Sequence, residues 1–170
     1  LLLPHQLADM KKQANEKQQV APEMVLDFLT NTLPFKELAE ETLQQLSQQC
    51  IIDFYPKDTL IFQQDVTDVA YLYIIQQGGV RSFLKDEAGE ITLKDYRGEG
   101  EHFGALALIQ DTRANLNIGT VEDTFCLLFP KEAFMQLLQS EPKATNYFLP
   151  SLSKKLVKNA YKELRQHKVT

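Results

Sequence analysis

Gly98-Glu99-Gly100-Glu101-His102-Phe103-Gly104-Ala105-Leu106-Ala107-Leu108-Ile109 breaks the strand rhythm of the residues around it. Glycines at 98, 100 and 104 flank an apolar run too compact for another paired strand. Ala105 to Ile109 is long enough for a helical turn or two starting at Gly104, and a helix start preceded by glycine presents bare amide N–H groups that suit an anion. Beyond that turn stands Arg113, within Asp111-Thr112-Arg113-Ala114-Asn115. A guanidinium fork facing an amide-lined turn makes a pocket for a singly charged phosphodiester.

On both sides of this stretch, from Ile51 to Pro130, the apolar period is two. Ile51–Tyr55, Thr59–Phe62, Val69–Ile75, Gly79–Leu84, Ile91–Tyr96, Leu116–Val121 and Thr124–Phe129 read as short strands. Turn signals separate them: Pro56-Lys57-Asp58, Gln64-Asp65, Gly78-Gly79, Asp86-Glu87-Ala88-Gly89 and Glu122-Asp123. Many short strands with such spacing predict an antiparallel sandwich or barrel. Asp86 to Gly89 is a hairpin tip with glycine at the left-handed position.

Farther out the period is helical. Residues 5–49 are polar and Gln-rich; Pro22 opens a helix with Met24, Val25, Phe28 and Leu29 on one stripe. Leu33-Pro34-Phe35 forms an elbow before a helix from Glu37 to about Gln49 with Leu38, Leu43 and Leu46 inward. After Pro130, Lys131–Gln139 is a helix and Pro142 restarts the chain. Pro150 then interrupts the helical stretch, and a final helix over Ser151–Gln166 carries Leu152, Leu156, Ala160 and Leu164 on one stripe. The expected organisation is N-terminal helices over 1–49, a barrel over 50–130 and C-terminal helices over 131–170.

Composition narrows the function. The 170 residues carry a net charge of −5, with a pI near 5.2, which argues against a body that binds nucleic acid. No run approaches the roughly 18 apolar residues of a membrane span, and Leu1-Leu2-Leu3 is stopped at once by Pro4, so no membrane contact and a cytoplasmic location are expected. Cys50 and Cys126 lack CxxC spacing and read as buried thiols in a reducing compartment. His5, His102 and His167 lack ligand spacing, and no nucleophile–base pair or hydrolytic Gly-rich loop is present, so a non-enzymatic domain without catalytic or metal-ligating residues is expected. The seven Lys or Arg among residues 143–170, against one Glu, read as a solvated face.

The order of these features resembles the cyclic-nucleotide-binding domain: Gly78 after Tyr73-Ile74-Ile75, the block Gly98 to Ile109, Arg113-Ala114, then Val121-Glu122-Asp123. The resemblance covers about residues 23–165. It implies a mainly β fold, an eight-stranded antiparallel jelly-roll barrel with N-terminal helices and a long C-terminal helix. It also implies a phosphate-binding cassette at residues 103–115 with Phe103, Gly104, Ala105, Leu106, Arg113, Ala114 and Asn115 as ligand-binding residues, Arg113 holding the cyclic phosphate. Cyclic AMP or another cyclic nucleotide is the implied ligand, and a homodimer through the long C-terminal helix the implied assembly. The lead-in Val25–Phe35 and the phrase Val121–Cys126 resemble a bacterial branch in which this domain precedes a CBS-domain pair and a nucleotidyltransferase domain. The chain is also similar to the sensor half of catabolite-activator-type regulators, with no residues left for their helix-turn-helix.

The departures from the family bear on function. Ala105 stands where the family has the Glu that accepts the ribose 2′-hydroxyl, a loss worth roughly 1–3 kcal/mol. Thr112 replaces a proline, the loop from Gly104 to Arg113 is about one residue short, and Asp58 and Gln64 occupy habitual glycine positions. Two readings follow. The domain is either a regulatory module that binds a cyclic nucleotide or related phosphate through Arg113 and the cassette amides with a weakened ribose site, or a vestigial barrel that mediates dimerisation or protein interaction. An inward Arg113 supports the first, and an Arg113 tied to a carboxylate such as Asp111 or Glu122 supports the second.

Overall fold

A computed structural model describes residues 18–151 of the chain. After a short strand β1 (Gln18–Gln19) come helices α1 (Pro22–Leu29) and α2 (Glu40–Gln49), with a 3-10 turn at Phe35–Glu37 between them. The strands β2 (Ile51–Tyr55), β3 (Leu60–Phe62), β4 (Tyr71–Gln77), β5 (Val80–Lys85), β6 (Ile91–Arg97) and β7 (His102–Phe103) follow. Helix α3 (Ala105–Gln110), strands β8 (Asn117–Thr120) and β9 (Thr124–Pro130), and helices α4 (Lys131–Ser140) and α5 (Pro142–Ser151) complete the described residues. The strands form two antiparallel sheets, one ordered β1-β2-β9-β4-β7 and the other β3-β8-β5-β6. This is the expected mainly β jelly-roll with flanking helices.

Strand alternation divides the apolar residues between two cores. Tyr73 and Ile75 of β4, Cys126 and Leu128 of β9, Val80, Ile118, Phe62 and Phe103 meet between the sheets. Leu72 and Ile74 of β4 and Phe125, Leu127 and Phe129 of β9 face the other way, into a core closed by α1, α2, α4 and α5. Strand β9 is buried along nearly its whole length because both of its faces are covered, hence its unbroken Phe125-Cys126-Leu127-Leu128-Phe129. Cys50 and Cys126 are free and buried, and burial pushes both thiols well above the ordinary cysteine range.

Several sequence expectations are corrected. Residues 18–19 were expected within a helical region but pair with Ile51 and Ile52 as β1, a ninth strand. Leu38, Leu43 and Leu46 are inward as expected, yet their helix begins at Glu40, after the 3-10 turn. On α1 the stripe is Val25 and Leu29, while Met24 is 46% exposed. Pro150 does not interrupt its helix: α5 runs through it to Ser151. The final helix expected over Ser151–Gln166, with Leu152, Leu156, Ala160 and Leu164, lies outside the described residues, as do the residues before Gln18.

The turn chemistry settles where backbone freedom is needed. Asp58 does adopt a left-handed conformation, but at the next habitual glycine position it is Asp65, φ 63°, and not Gln64 that does so. Aspartate tolerates that region better than glutamine because its short side chain bonds the local backbone. Gly78 has φ 103°, and a Cβ there would fall on the Asp123 carbonyl oxygen and within 2.7 Å of Thr124 Cα. Both obstacles lie on backbone, so Gly78→Ala is expected to cost roughly 2–4 kcal/mol, read as a lower urea midpoint with an unchanged slope.

Candidate functional site

Gly104 joins β7 to α3 with φ 92° and ψ −12°. A Cβ at this position would stand 3.1 Å from the Tyr71 carbonyl oxygen, with the Phe62 ring and Val69 beside it. Glycine therefore meets two demands here, a left-handed backbone and a close approach to β4. The first main-chain bond of α3 runs from the Leu108 N–H to the Gly104 carbonyl at 3.2 Å, and no side chain caps the start. The amides of Ala105, Leu106 and Ala107 are left without acceptors among the described residues, as an anion-accepting turn requires.

The end of the cassette is tied to the 63–68 loop. Ala114 donates its N–H to the Thr67 carbonyl at 2.9 Å and accepts from the Asp65 N–H at 2.9 Å. Arg113 bridges Asp68 through the backbone, and its Nε lies 3.5 Å from Asp68 Oδ1 with the two side chains 66% and 90% exposed. The expected carboxylate partners were Asp111 and Glu122; the observed one is Asp68. Asp111, left-handed at the end of α3, instead accepts from Lys131 Nζ at 2.7 Å, and this cation holds its carboxyl below the usual range.

The structure places the other expected residues in three settings. Phe103 is buried between the sheets, stacked on Tyr73 at 4.8 Å and edge-on to Phe62 at 5.3 Å. Ala105 is buried on the opposite side, in the core shared with the helices. Leu106 is half-buried on α3, Ala114 is buried between the sheets, and Asn115 is half-buried with its Nδ2 enclosed and unpartnered.

Next to the cassette, His102 lies edge-on to Phe148 at 4.8 Å and tilted to Tyr147 at 5.9 Å, so α5 docks directly on β7. Burial, helped by the Arg97 charge, pushes the His102 pKa down to about 4, so the ring is neutral at physiological pH. Glu101 bends back to accept from the Gly98 N–H at 3.0 Å and does not stand in for the missing ribose carboxylate. An open cleft of about 470 Å³ lies elsewhere, lined by Lys57, Thr59, Leu60, Arg81, Phe83 and Gly119. Among the described residues no group of acids, histidines or cysteines is placed to hold a metal, and no helix is long and apolar enough to cross a membrane.

Comparison with known proteins fits this geometry. A profile of the cyclic nucleotide-binding domain matches residues 52–141, more than half of the chain and the stretch that contains strands β3 to β9 and the cassette. The chain belongs to the cyclic nucleotide-binding domain family. It is 31% identical over 117 residues to a cGMP-dependent protein kinase of Drosophila melanogaster, covering 67% of this chain and 12% of the kinase. It is 32% identical over 111 residues to the cAMP-activated global transcriptional regulator CRP of Salmonella typhimurium, covering 63% of this chain and 51% of the regulator. The regulatory subunit of a cAMP-independent protein kinase A from Trypanosoma brucei superposes with a TM-score of 0.70 at 17% identity, over 94% of this chain and 55% of that one. The chain spans about one eighth of the length of the kinase and about half that of the regulator.

Sequence reading of this cyclic nucleotide-binding domain missed one contact of the cassette. Asp68 lies 45 positions from Arg113 and gave no signal.

Proposed function

We propose that this domain senses a cyclic nucleotide or related phosphate ligand, whose phosphate sits on the amides of Ala105–Ala107 and is clamped by Arg113. The observation that carries this reading is the uncapped start of α3 at a left-handed Gly104, with three amides lacking acceptors. Arg113 is available to a ligand because its pair with Asp68 is long and exposed, and such pairs contribute only about 0–1 kcal/mol. With Ala105 in place of an acidic residue, no carboxylate at that position receives the ribose hydroxyl, and the ribose contributes little. The signal passes from β7 to α5 through His102, Tyr147 and Phe148. A longer bacterial signalling protein, with CBS and nucleotidyltransferase domains after this one and a homodimer through its C-terminal helix, is the setting that the sequence resemblance supports, and the domain limits 1–49, 50–130 and 131–170 are kept with it.

A thermal-shift titration with cyclic AMP, cyclic GMP, cyclic dinucleotides, AMP and ATP tests the reading. A ligand at a hundred times its Kd adds about 2.7 kcal/mol, and Arg113→Ala should abolish the shift while leaving the unliganded melting temperature within a degree or so. The second reading, an interaction module without a ligand, is favoured by the Arg113–Asp68 pair alone; absence of any shift at millimolar ligand would establish it.

A further inference from the structure

Arg97 is the last residue of β6, directly opposite Val80 of β5, so the two side chains share the face turned between the sheets. Its Nη1 donates to the His102 carbonyl at 2.9 Å, which places the guanidinium against β7, two residues before Gly104. That bond uses one of five N–H donors. Arg97 is half-buried, and among the described residues it has no ion pair. The two acids closest to it in charge are occupied by local backbone: Asp95 accepts from the Tyr96 N–H at 3.0 Å and Glu101 from that of Gly98. Burial accordingly pulls the Arg97 pKa below the ordinary arginine range.

A second, independent observation lies beside it. Ser82 stands opposite Asp95, one step along the same face, is 1% exposed, and its Oγ has no hydrogen-bond partner. At the end of the cassette Asn115 Nδ2 is enclosed without a partner as well. Buried polar groups are nearly always bonded, so a cation with free donors next to an orphan hydroxyl describes a cradle for an acceptor-rich group. The charges of Asp95 and Glu101 act on Arg97, yet among the described residues neither carboxylate forms an ion pair with its guanidinium.

We infer that Arg97, with Ser82 beside it, is a second anion contact of this site, so that the preferred ligand carries two negative charges, one on the α3 amides and Arg113 and one on Arg97. The inference rests on the phosphate-ligand reading above. It is tested by comparing cyclic AMP, with one charge, against 5′-AMP and cyclic di-AMP, with two, by calorimetry on the purified chain. One of the doubly charged probes is expected to bind at least about tenfold tighter than cyclic AMP, as an additional charge-assisted pair allows. Arg97→Met should erase that preference while changing cyclic AMP binding less than about threefold, and Arg97→Lys should keep part of it. A residue that merely clasps β6 to β7 would lower the melting temperature without moving the ratio between probes, and that result would overturn the inference. So would wild-type protein that prefers cyclic AMP to both, an outcome that needs no variant to fold and leaves the phosphate-ligand reading intact. Binding of none of the probes would overturn both.

Discussion

Phe148→Ala is expected to destabilise the domain by about 3–5 kcal/mol, the range for removing a large aromatic ring from a core that cannot collapse. For a domain of this size that corresponds to a melting temperature lower by roughly 10 °C. Phe148 is fully buried and stands edge-on to Phe134 at 5.0 Å, to Phe35 at 6.3 Å and to His102 at 4.8 Å. One ring thus joins α5 to α4, to the turn before α2 and to β7 next to the cassette. The variant should also change the response to acid. His102 is held at about 4, against an ordinary 6.5, chiefly by burial. Between those values the unfolded chain takes up a proton that the folded chain refuses, so stability present above about pH 6.5 is lost as pH falls toward 4. Opening the site to water lets the imidazole titrate nearer its ordinary value. The drop in melting temperature from pH 7 to pH 5 should therefore be smaller in Phe148→Ala than in wild type. An equal drop in both would show that Phe148 does not shield His102.

The contrast between what the sequence states and what it conceals runs along this same chain of contacts. Strands such as Ile51–Tyr55 and Ile91–Tyr96 were legible because short strand-like runs bounded by turn signals mark where they lie. The helix start at Gly104 and the tight pair at Gly78 were legible because only glycine meets their backbone demands. Strand β7 was not: two residues, His102 and Phe103, are too few to show a period, and their strand character comes from pairing with Tyr73 and Ile74 of β4. Strand β1 was concealed for a related reason, since Gln18 and Gln19 carry no apolar signal and gain their conformation at the edge of a sheet. The site divides the same way. Residues of the cassette are neighbours in sequence, and the Arg97–His102 contact spans only five positions, whereas the Arg113–Asp68 pair brings together segments 45 positions apart whose proximity only the folded sheets create.

Ala105→Glu is the substitution for which sequence and structure lead to opposite expectations. On the sequence alone, a glutamate here restores the residue that accepts the ribose hydroxyl, and tighter binding of cyclic AMP follows, by as much as about a hundredfold. In the structure Ala105 is 2% exposed and packs in the helix-side core with Leu72, Leu108 and Phe129. A carboxylate placed there loses its water and meets apolar side chains, so its pKa rises, and each unit of rise corresponds to about 1.4 kcal/mol at pH 7. A cost on the order of 3 kcal/mol at neutral pH is expected, with no gain in affinity. The pH dependence identifies the cause. Because the folded pKa lies above the unfolded value near 4.3, the variant is least penalised when protonated, and stability is lost as pH rises through the interval between the two values. The melting-temperature deficit relative to wild type should thus be larger at pH 7.5 than at pH 5. The opposite result, tighter cyclic AMP binding with a deficit that does not depend on pH, would show that the side chain at 105 turns out of the core toward a ligand. In that event Ala105 is a simple deletion of the ribose contact, and Arg97 would face a carboxylate in the restored site. The expected result instead makes Ala105 a packing residue of the helix-side core.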